Sequence, residues 1–432
     1  MKSLAKLALF LGFILMSLSV SAQFDNRDIP QYRYRDFRGI NQFEALQSDI
    51  IYDGFKVRLG GSFAVQMQGL SHSNGSADTL ALIGENFNLP TANLDIDVAL
   101  ADGMRMHMRT YLSSRHHPES WVKGGYIQID NLNWIQDGLF ENIMDMATIK
   151  MGLMEINYGD YHFRRSDNAR AIYNPFVGNL IMDAFNTEAG AEIYFTPGDF
   201  LIMAGLTNGK LNQSVATDTV TEYTPAFLAK LGWDKQMNED LRLRLTSSLY
   251  TSAEGKTNYL YFGDRGGSRY YLVMEPQGAS PTSSYRSGRW SPSFINQVTA
   301  IMVNPFVKYK GIEFFGAYET ASGKITGEAN TRSYTQIYGE LVYRLGSRDQ
   351  YYIGGRYNSV NGELTNFVPN TDAQEISISR FAIAAGWYMT PNVMLKAEYV
   401  NQDYNDFSET GSNSIFYDGN FNGAVIEATI SF

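Results

Sequence analysis

Apolar and polar residues alternate along most of the chain with a period of two. Between residues 54 and 69, for example, Val57, Leu59, Phe63 and Val65 are separated by charged, amide or small residues. Successive side chains of a β-strand point to opposite faces, so this alternation predicts strands with one apolar and one polar face. We predict sixteen strands, at 54–69, 92–101, 103–114, 121–131, 147–157, 187–196, 199–208, 225–234, 240–252, 297–310, 311–321, 333–346, 350–360, 376–389, 392–404 and 419–432.

Turn sequences fix how neighbouring strands pair. Ala101-Asp102-Gly103 fits a three-residue hairpin loop with Gly103 in the left-handed conformation. Lys310-Gly311 and Thr390-Pro391-Asn392 are further tight turns. Opposite charges then face each other on the polar side, as cross-strand pairing favours. The predicted pairs are Leu100 with Met104, Asp97 with His107, Asp95 with Arg109, Tyr309 with Ile312, Lys308 with Glu313, Met389 with Val393, and Trp387 with Leu395.

The connections between the strands alternate between short and long. The short ones are 102, 197–198, 235–239, 310–311, 347–349 and 390–391, with a longer exception at 132–146 that includes a predicted helical turn in 137–146. The long ones are 70–91, 115–120, 158–186, 209–224, 253–296, 322–332, 361–375 and 405–418. Because a soluble sandwich has no reason to sort its loops by side, the pattern favours a transmembrane barrel.

The predicted fold class is therefore an all-β transmembrane antiparallel β-barrel of about sixteen strands, with eighteen as the alternative count. Its short turns would be periplasmic and its long loops extracellular. We assign residues 53–432 to the barrel, and expect 253–296 to form a large outer loop.

Composition narrows the alternatives. The 432 residues carry a net charge of −10, with 28 Tyr, 26 Phe and 39 Gly, a mixture that favours strands and tight turns. The absence of Cys excludes disulfides and thiolate chemistry, and the acidic balance argues against a nucleic-acid partner. The mean hydropathy of −0.25 resembles that of a soluble protein. Beyond residue 22 no apolar run is long enough for a membrane-spanning helix, which leaves a soluble periplasmic β protein or an outer-membrane barrel.

The first residues have the pattern of a targeting sequence. Two lysines precede the apolar stretch Leu7–Val20, and small residues end at Ala22, which predicts a signal peptide over 1–22 with cleavage near Ala22. Residues 23–52 lack the period of two and mix arginine with aspartate. We expect this N-terminal segment to lie in the periplasm or in the barrel lumen.

Two features distinguish a membrane barrel from a sandwich. Strands of ten or more residues match a tilted membrane span. Aromatic residues also gather near the short turns, where an interfacial girdle would lie. They are Tyr194, Phe195, Trp233, Tyr309, Tyr343, Tyr351, Trp387 and Tyr388.

The export signal, the strand count, the terminal Phe432 and the long loop after the fifth strand resemble those of bacterial outer-membrane porins. The stretch Ile149–Asp160 is similar to Bacteroidetes porins distantly like the phosphate-selective porin O/P family. The acidic balance departs from the basic pore of the phosphate-selective members. The resemblance implies a Gram-negative outer-membrane location, insertion by the barrel assembly machinery, and contact with lipid and lipopolysaccharide. It also implies a homotrimer and small hydrophilic solutes, without a cofactor.

In porins the third extracellular loop folds inward and narrows the channel. The resemblance assigns this role to residues 158–186, and fixed charges at a constriction set ion preference. The alternative is a solvated outer loop. The candidate constriction residues are Asp160, Arg164, Arg165, Asp167, Arg170 and Asp183.

The polar strand faces supply candidates for the lumen wall. One interpretation is that such charges set the ion selectivity of the channel. The alternative is that they only pair across strands and hydrate the wall. If the loop presented carboxylates toward wall arginines, a transverse field would orient dipolar solutes. The candidates are Lys56, Arg58, Asp95, Asp97, Arg105, Arg109, Arg242, Arg244, Glu313, Glu340, Arg344, Arg356, Glu398 and Glu427.

Passive diffusion of small hydrophilic solutes and ions is the predicted function. One alternative is a selective channel for phosphate-like anions or short saccharides, and another is an outer-membrane enzyme or adhesin on a plugged barrel. No GxSxG, HExxH or P-loop pattern is present, so we expect no enzyme activity. Adjacent side chains such as those of His116 and His117 rarely converge on one metal ion, and no metal site is expected.

Overall fold

The computed structural model describes residues 29, 32–46, 50–116, 119–167, 169–211, 224–255, 258–328, 330–368 and 373–432. The expected signal peptide, residues 1–22, lies outside the described residues. The first part of the N-terminal segment and His117 also lie outside them.

Sixteen antiparallel strands close into one barrel, and β1 pairs with β16 to complete it. This confirms the predicted fold class. The strands are β1 (Lys56–Ser73), β2 (Asn86–Ala101), β3 (Met104–Ser113), β4 (Trp121–Ile129), β5 (Ala147–Glu155), β6 (Thr187–Phe195), β7 (Phe200–Thr207), β8 (Ala226–Gln236), β9 (Leu241–Ser252), β10 (Gln297–Tyr309), β11 (Ile312–Lys324), β12 (Arg332–Leu345), β13 (Tyr351–Glu363), β14 (Glu375–Thr390), β15 (Val393–Asn405) and β16 (Asn420–Ser431). All sixteen predicted segments are strands. However, β2 begins earlier than predicted, because Asn86 already pairs with Gln68, and β1 runs on to Ser73, because it stays paired with β16 as far as Asn420.

Among the described residues, helical structure is limited to short segments. The predicted helical turn before β5 is present as α1 (Glu141–Met144). Short 3₁₀ helices occupy Phe37–Gly39, Tyr161–Phe163, Leu260–Arg265 and Ser414–Phe416. Within the described ranges, none of the helices is long and apolar enough to cross a membrane.

The register agrees with most of the predicted pairs. Asp95 lies opposite Arg109, Asp97 opposite His107, Lys308 opposite Glu313, Tyr309 opposite Ile312, and Trp387 opposite Leu395. Gly103 has a φ of 64°, as the hairpin requires. Two predicted pairs are wrong, because a bulge leaves Leu100 and Met389 without an opposite residue. Their expected partners pair one residue further on, Met104 with Ala101 and Val393 with Thr390.

The apolar faces of the strands point outward and the charged faces point inward. On β12, Ile337 and Leu341 are 52% and 55% exposed, whereas Gln336 and Glu340 are 0% and 2% exposed. The alternation therefore has the opposite sense to that of a soluble β-sandwich, whose apolar faces form the core. An apolar exterior around a polar interior is the arrangement of a transmembrane barrel.

The expected aromatic girdle is present only in part. Tyr309, Tyr343, Tyr351 and Trp387 are all more than 40% exposed near the short turns. Tyr194 and Tyr388 are instead buried inside the barrel, which corrects the prediction. The reason is the period of two, since each directly adjoins an aromatic residue on the opposite face of its strand.

Three irregular segments pack inside the barrel. They are residues 32–46 of the N-terminal segment, residues 158–186 between β5 and β6 (loop 158–186), and residues 258–296 between β9 and β10 (loop 258–296). Residues 253–296 were expected to form a large outer loop; residues 276–283 of loop 258–296 are mostly exposed, but its other described residues are largely buried. Its Tyr261 and Tyr270 donate hydrogen bonds to Glu319 on β11 and Glu398 on β15, so it bridges the inner wall. The hydrophobic core consequently lies within the lumen and not between two sheets.

We expect Gly152→Ala to destabilise the barrel, whereas Gly355→Ala leaves its stability nearly unchanged. Gly152 on β5 has a φ of 141°, and a Cβ there would lie 2.4 Å from the Gly125 carbonyl oxygen. A Cβ on Gly355 would meet nothing within 4 Å. The expected loss of unfolding free energy is about 1–3 kcal/mol. Urea unfolding of both variants measures it, and equal stabilities would contradict the assignment of strain to Gly152.

Candidate functional site

Loop 158–186 is attached to the inner wall through its own backbone. The amide nitrogens of Ile181 and Met182 donate to Asn358 Oδ1 and Gln336 Oε1 at 2.7 and 3.0 Å. The amide nitrogen of Val177 donates to Glu398 Oε2 at 2.9 Å. Irregular backbone that is buried needs such partners, because an unpaired peptide group costs free energy. Polar side chains of the strands thus hold a chain segment that has no regular structure of its own.

Arg164 joins three parts of the molecule. Its Nη2 lies 2.5 Å from Glu340 Oε1 and 3.9 Å from Glu313 Oε2, and its Nη1 donates to Asn41 of the N-terminal segment. Burial alone would lower the pKa of Arg164, but the two carboxylates outweigh that effect and hold the pKa above its ordinary value. Arg164 therefore stays charged and fixes the loop to β11 and β12.

Asp160 belongs to a compact cluster of four charges. Its oxygens lie 2.6 Å from Lys230 Nζ and 2.8 Å from Arg244 Nε. Glu44 of the N-terminal segment contacts the same cations at 2.9 and 2.7 Å. Burial by itself would raise the pKa of Asp160, but Arg244 and Lys230 overcome this and keep it below its ordinary value. Two carboxylates and two cations leave the cluster with no net charge.

The remaining loop candidates pair with residues of the same loop, of loop 258–296 and of β5. Arg165 contacts Asp183 at 2.6 Å and Asp167 at 3.2 Å, and Asp183 also contacts Arg289 of loop 258–296 at 3.0 Å. Arg170 contacts Glu155, at the end of β5, at 2.6 Å. These pairs brace loop 158–186 internally and join it both to loop 258–296 and to the wall strand β5.

The wall candidates are also largely paired. Their contacts on the described residues are Glu313–Arg344 at 2.7 Å, Glu340–Arg356 at 3.0 Å, Arg242–Asp234 at 2.6 Å, Arg109–Asp95 at 2.5 Å, Glu427–Lys396 at 3.0 Å, and Lys56 with Asp53 near the short-turn end. Arg58 lies with its guanidinium carbon 5.5 Å from the centre of the Tyr32 ring. The hypothesised transverse field needs open space between the loop carboxylates and the wall arginines. Asp160 instead contacts the wall residue Arg244 directly, so no solute can pass between these two groups.

Sequence reasoning did not identify the partners from the N-terminal segment. Arg35 contacts Asp97 at 2.8 Å and also pairs with Asp95, so it occupies the acidic side of β2. Glu44 and Asn41 contact the charges of loop 158–186, as described above. The missing period of two and the arginine content were the only signals of this role. Neither signal indicates which strand residue the segment contacts.

A cavity of about 130 Å³ remains between the N-terminal segment, loop 158–186 and the inner faces of β3 to β6. Its charged lining on the described residues is mostly basic. Seven lining residues are Lys or Arg, namely Arg33, Arg35, Arg105, Arg109, Lys123, Lys150 and Arg170, and two are Glu, namely Glu44 and Glu155. A polar, basic cavity of this size can hold water and attract small anions.

No metal site is evident within the described ranges, where no group of three or more His, Asp or Glu could hold an ion. His116 instead stacks on Trp121, with ring centroids 4.5 Å apart.

Comparison with known proteins shows the fold. The anion-selective porin of Comamonas acidovorans has a TM-score of 0.52 at 10% identity, with 88% of this chain and 100% of that chain covered. OprB of Pseudomonas putida has a TM-score of 0.51 at 10% identity, with 88% and 94% covered. The trimer form of the outer membrane protein OmpT of Vibrio cholerae has a TM-score of 0.50 at 12% identity, with 88% and 100% covered. No protein-family model and no curated protein matches the chain.

We expect Arg164→Gln to lower the free energy of unfolding by about 3 kcal/mol, because it leaves buried carboxylates without one of their cations. The matched control is Lys235→Gln, which breaks an exposed pair with Asp199 and should cost less than about 1 kcal/mol. Urea unfolding checks both values. Equal losses for the two variants would contradict the role of Arg164 as a buried anchor.

Stability should also fall in mild acid through His162. Burial lowers the pKa of His162 to about 4; a hydrogen bond with Glu155 opposes the shift, and Arg170 and Lys230 add to it. The unfolded chain, with an ordinary pKa of 6.5, binds a proton that the folded protein rejects. Stability is therefore complete above pH 6.5 and declines as the pH falls toward 4, by up to roughly 3 kcal/mol.

Unfolding midpoints between pH 7 and pH 4.5 measure this decline. His162→Gln should flatten the pH profile, whereas His116→Gln, in the outer β3–β4 connection, should leave it unchanged. A wild-type profile retained in His162→Gln would show that another group is responsible.

Proposed function

We propose that the protein is an outer-membrane porin that lets small hydrophilic solutes and ions diffuse passively. The observation that carries the proposal is the closed sixteen-strand barrel with its apolar exterior and charged interior. A barrel of this strand number is too wide to be filled by its own wall side chains, so it encloses a lumen. The shared fold of the porins described above supports the same assignment.

The lumen contents support a narrow passage. Loop 158–186 carries the proposed constriction, and the N-terminal segment and loop 258–296 occupy further space beside it. Arg164, Arg165 and Lys230 are at most 2% exposed, so little solvent reaches the paired charges. We therefore propose a small conductance and a low size limit for solutes.

A selective channel for small anions is the second candidate, and the basic lining of the cavity favours it. Neutral solutes such as short saccharides would gain less from that lining. The comparison with an anion-selective porin agrees with this candidate, although the likeness itself extends only to the fold.

The proposal also includes the processing and assembly of the barrel. We propose cleavage near Ala22, insertion by the barrel assembly machinery, contact with lipid and lipopolysaccharide, and assembly as a homotrimer. The trimer form of the similar barrel from Vibrio cholerae supports the last point. The stretch Ile149–Asp160 supports a Bacteroidetes-type porin distantly like the O/P family.

Planar-bilayer recording tests the channel directly. Purified mature protein should give stepwise conductance, and a salt gradient should give a reversal potential that reports the preferred ion. Conductance should rise at least twofold when residues 23–46 are deleted, because the deletion removes residues 32–46, which occupy the lumen.

The matched control deletes Ser408–Thr410, which are exposed in the β15–β16 loop, and should conduct like the wild type. Folding of each variant is checked by its heat-dependent migration in gels. If neither the wild type nor the deletion variant conducts although both fold, the channel proposal fails and a plugged barrel with another activity is favoured.

A further inference from the structure

We propose that the 130 Å³ lumen cavity binds a small organic carboxylate with a flat apolar body, such as benzoate. The inference deepens the proposed channel function, because it names a substrate class for the same lumen. It rests on three observations about the cavity, which are its charge balance, its unused hydrogen-bond donors and its aromatic lining.

Two arginines that line the cavity have no carboxylate partner among the described residues. Arg33 donates from Nε to the Gly39 carbonyl oxygen at 2.9 Å and from Nη1 to the Phe163 carbonyl oxygen at 2.8 Å. Arg105 donates to the Ala45 carbonyl oxygen at 3.4 Å and to the side chain of Gln128. A buried cation costs free energy unless an anion accompanies it, so both side chains favour an anion in the cavity.

Both guanidinium groups also have a donor left over. Within the described ranges, no group accepts a hydrogen bond from Arg33 Nη2 or Arg105 Nε. Arg105 is only 5% exposed. Burial lowers the pKa of Arg33 to about 9; Tyr173 and Glu155 oppose the shift, and Arg170 and Arg164 add to it. Arg33 is therefore still protonated at neutral pH. The two donors therefore belong to charged groups that line one cavity.

The excess charge is local. In the neighbouring cluster, Lys230 and Arg244 each contact both Asp160 and Glu44, so the two positive charges are matched by two negative charges. Arg35 and Arg109 likewise have carboxylate partners on β2. Among the seven cations that line the cavity, the positive charge without a carboxylate partner in the described part of the chain is thus confined to Arg33 and Arg105.

The aromatic lining selects a flat organic acid over an inorganic ion. The guanidinium carbon of Arg33 lies 3.8 Å from the centre of the Tyr173 ring, and that of Arg105 lies 5.2 Å from the centre of the Tyr32 ring. Phe163 also lines the cavity. The planar guanidinium group matches the shape of a carboxylate. The cavity volume of about 130 Å³ is close to the roughly 150 Å³ of a protein cavity that binds benzene.

Isothermal titration calorimetry on the detergent-solubilised full mature protein tests the site, with sodium benzoate as the probe. Benzoate should bind, while benzamide, its neutral counterpart, and inorganic phosphate should bind at least tenfold more weakly. Arg33→Gln and Arg105→Gln should each raise the Kd for benzoate about tenfold or more, since each removes a charge-assisted hydrogen bond. Arg348→Gln, in an exposed short turn, is the matched control and should leave the Kd unchanged.

Three results would overturn the inference. They are no benzoate binding by the folded wild type, tighter binding of phosphate than of benzoate, and an unchanged Kd in both folded arginine variants. Arg33→Lys provides a further variant that keeps the charge but loses the fork, and should fall between the wild type and Arg33→Gln. Conductance without benzoate binding refutes the site alone, whereas benzoate binding without conductance refutes the channel and leaves the site in place.

Discussion

A charge that is buried in a protein costs free energy unless it has a partner, and most of the buried charges inside this barrel are paired. Fully buried cations such as Arg164, Arg165 and Lys396 each lie against one or more carboxylates. Because buried pairs lose solvation energy as well as gain attraction, they contribute more to specificity than to net stability. Their effect here is to hold three irregular segments at defined positions inside a barrel whose wall alone would leave an open lumen.

The same pairing determines where a cavity remains in the lumen. On one side, Asp160 and Glu44 neutralise Lys230 and Arg244, and the inner segments pack tightly against β8 and β9. On the other side, the acidic residues of β2 and β5 are too few for the arginines that converge there. A cavity persists at that side, and its lining is basic although the chain as a whole is acidic.

The strands could be predicted because their signal is local. Period-two alternation and turn residues located all sixteen strands and most cross-strand pairs, and they failed where a bulge added an unpaired residue at Leu100 or Met389. The contents of the lumen could not be predicted in this way. The partners Arg164 and Glu340 lie 176 residues apart, and no local pattern records that they meet. The resemblance to porins suggested that loop 158–186 folds inward. The sequence left the N-terminal segment either in the periplasm or in the lumen, and it did not identify that segment as the neighbour of this loop.

Spin labelling along β12 tests the central claim, that apolar residues face lipid while charged residues face an occupied interior. The chain has no native Cys, so single cysteines can be introduced at each position from 332 to 345 without background. In lipid vesicles, labels at 337 and 341 should collide readily with oxygen, whereas labels at 336 and 340 should be inaccessible to both oxygen and a water-soluble nickel complex. Oxygen accessibility without a period of two, or with the opposite phase, would contradict the account.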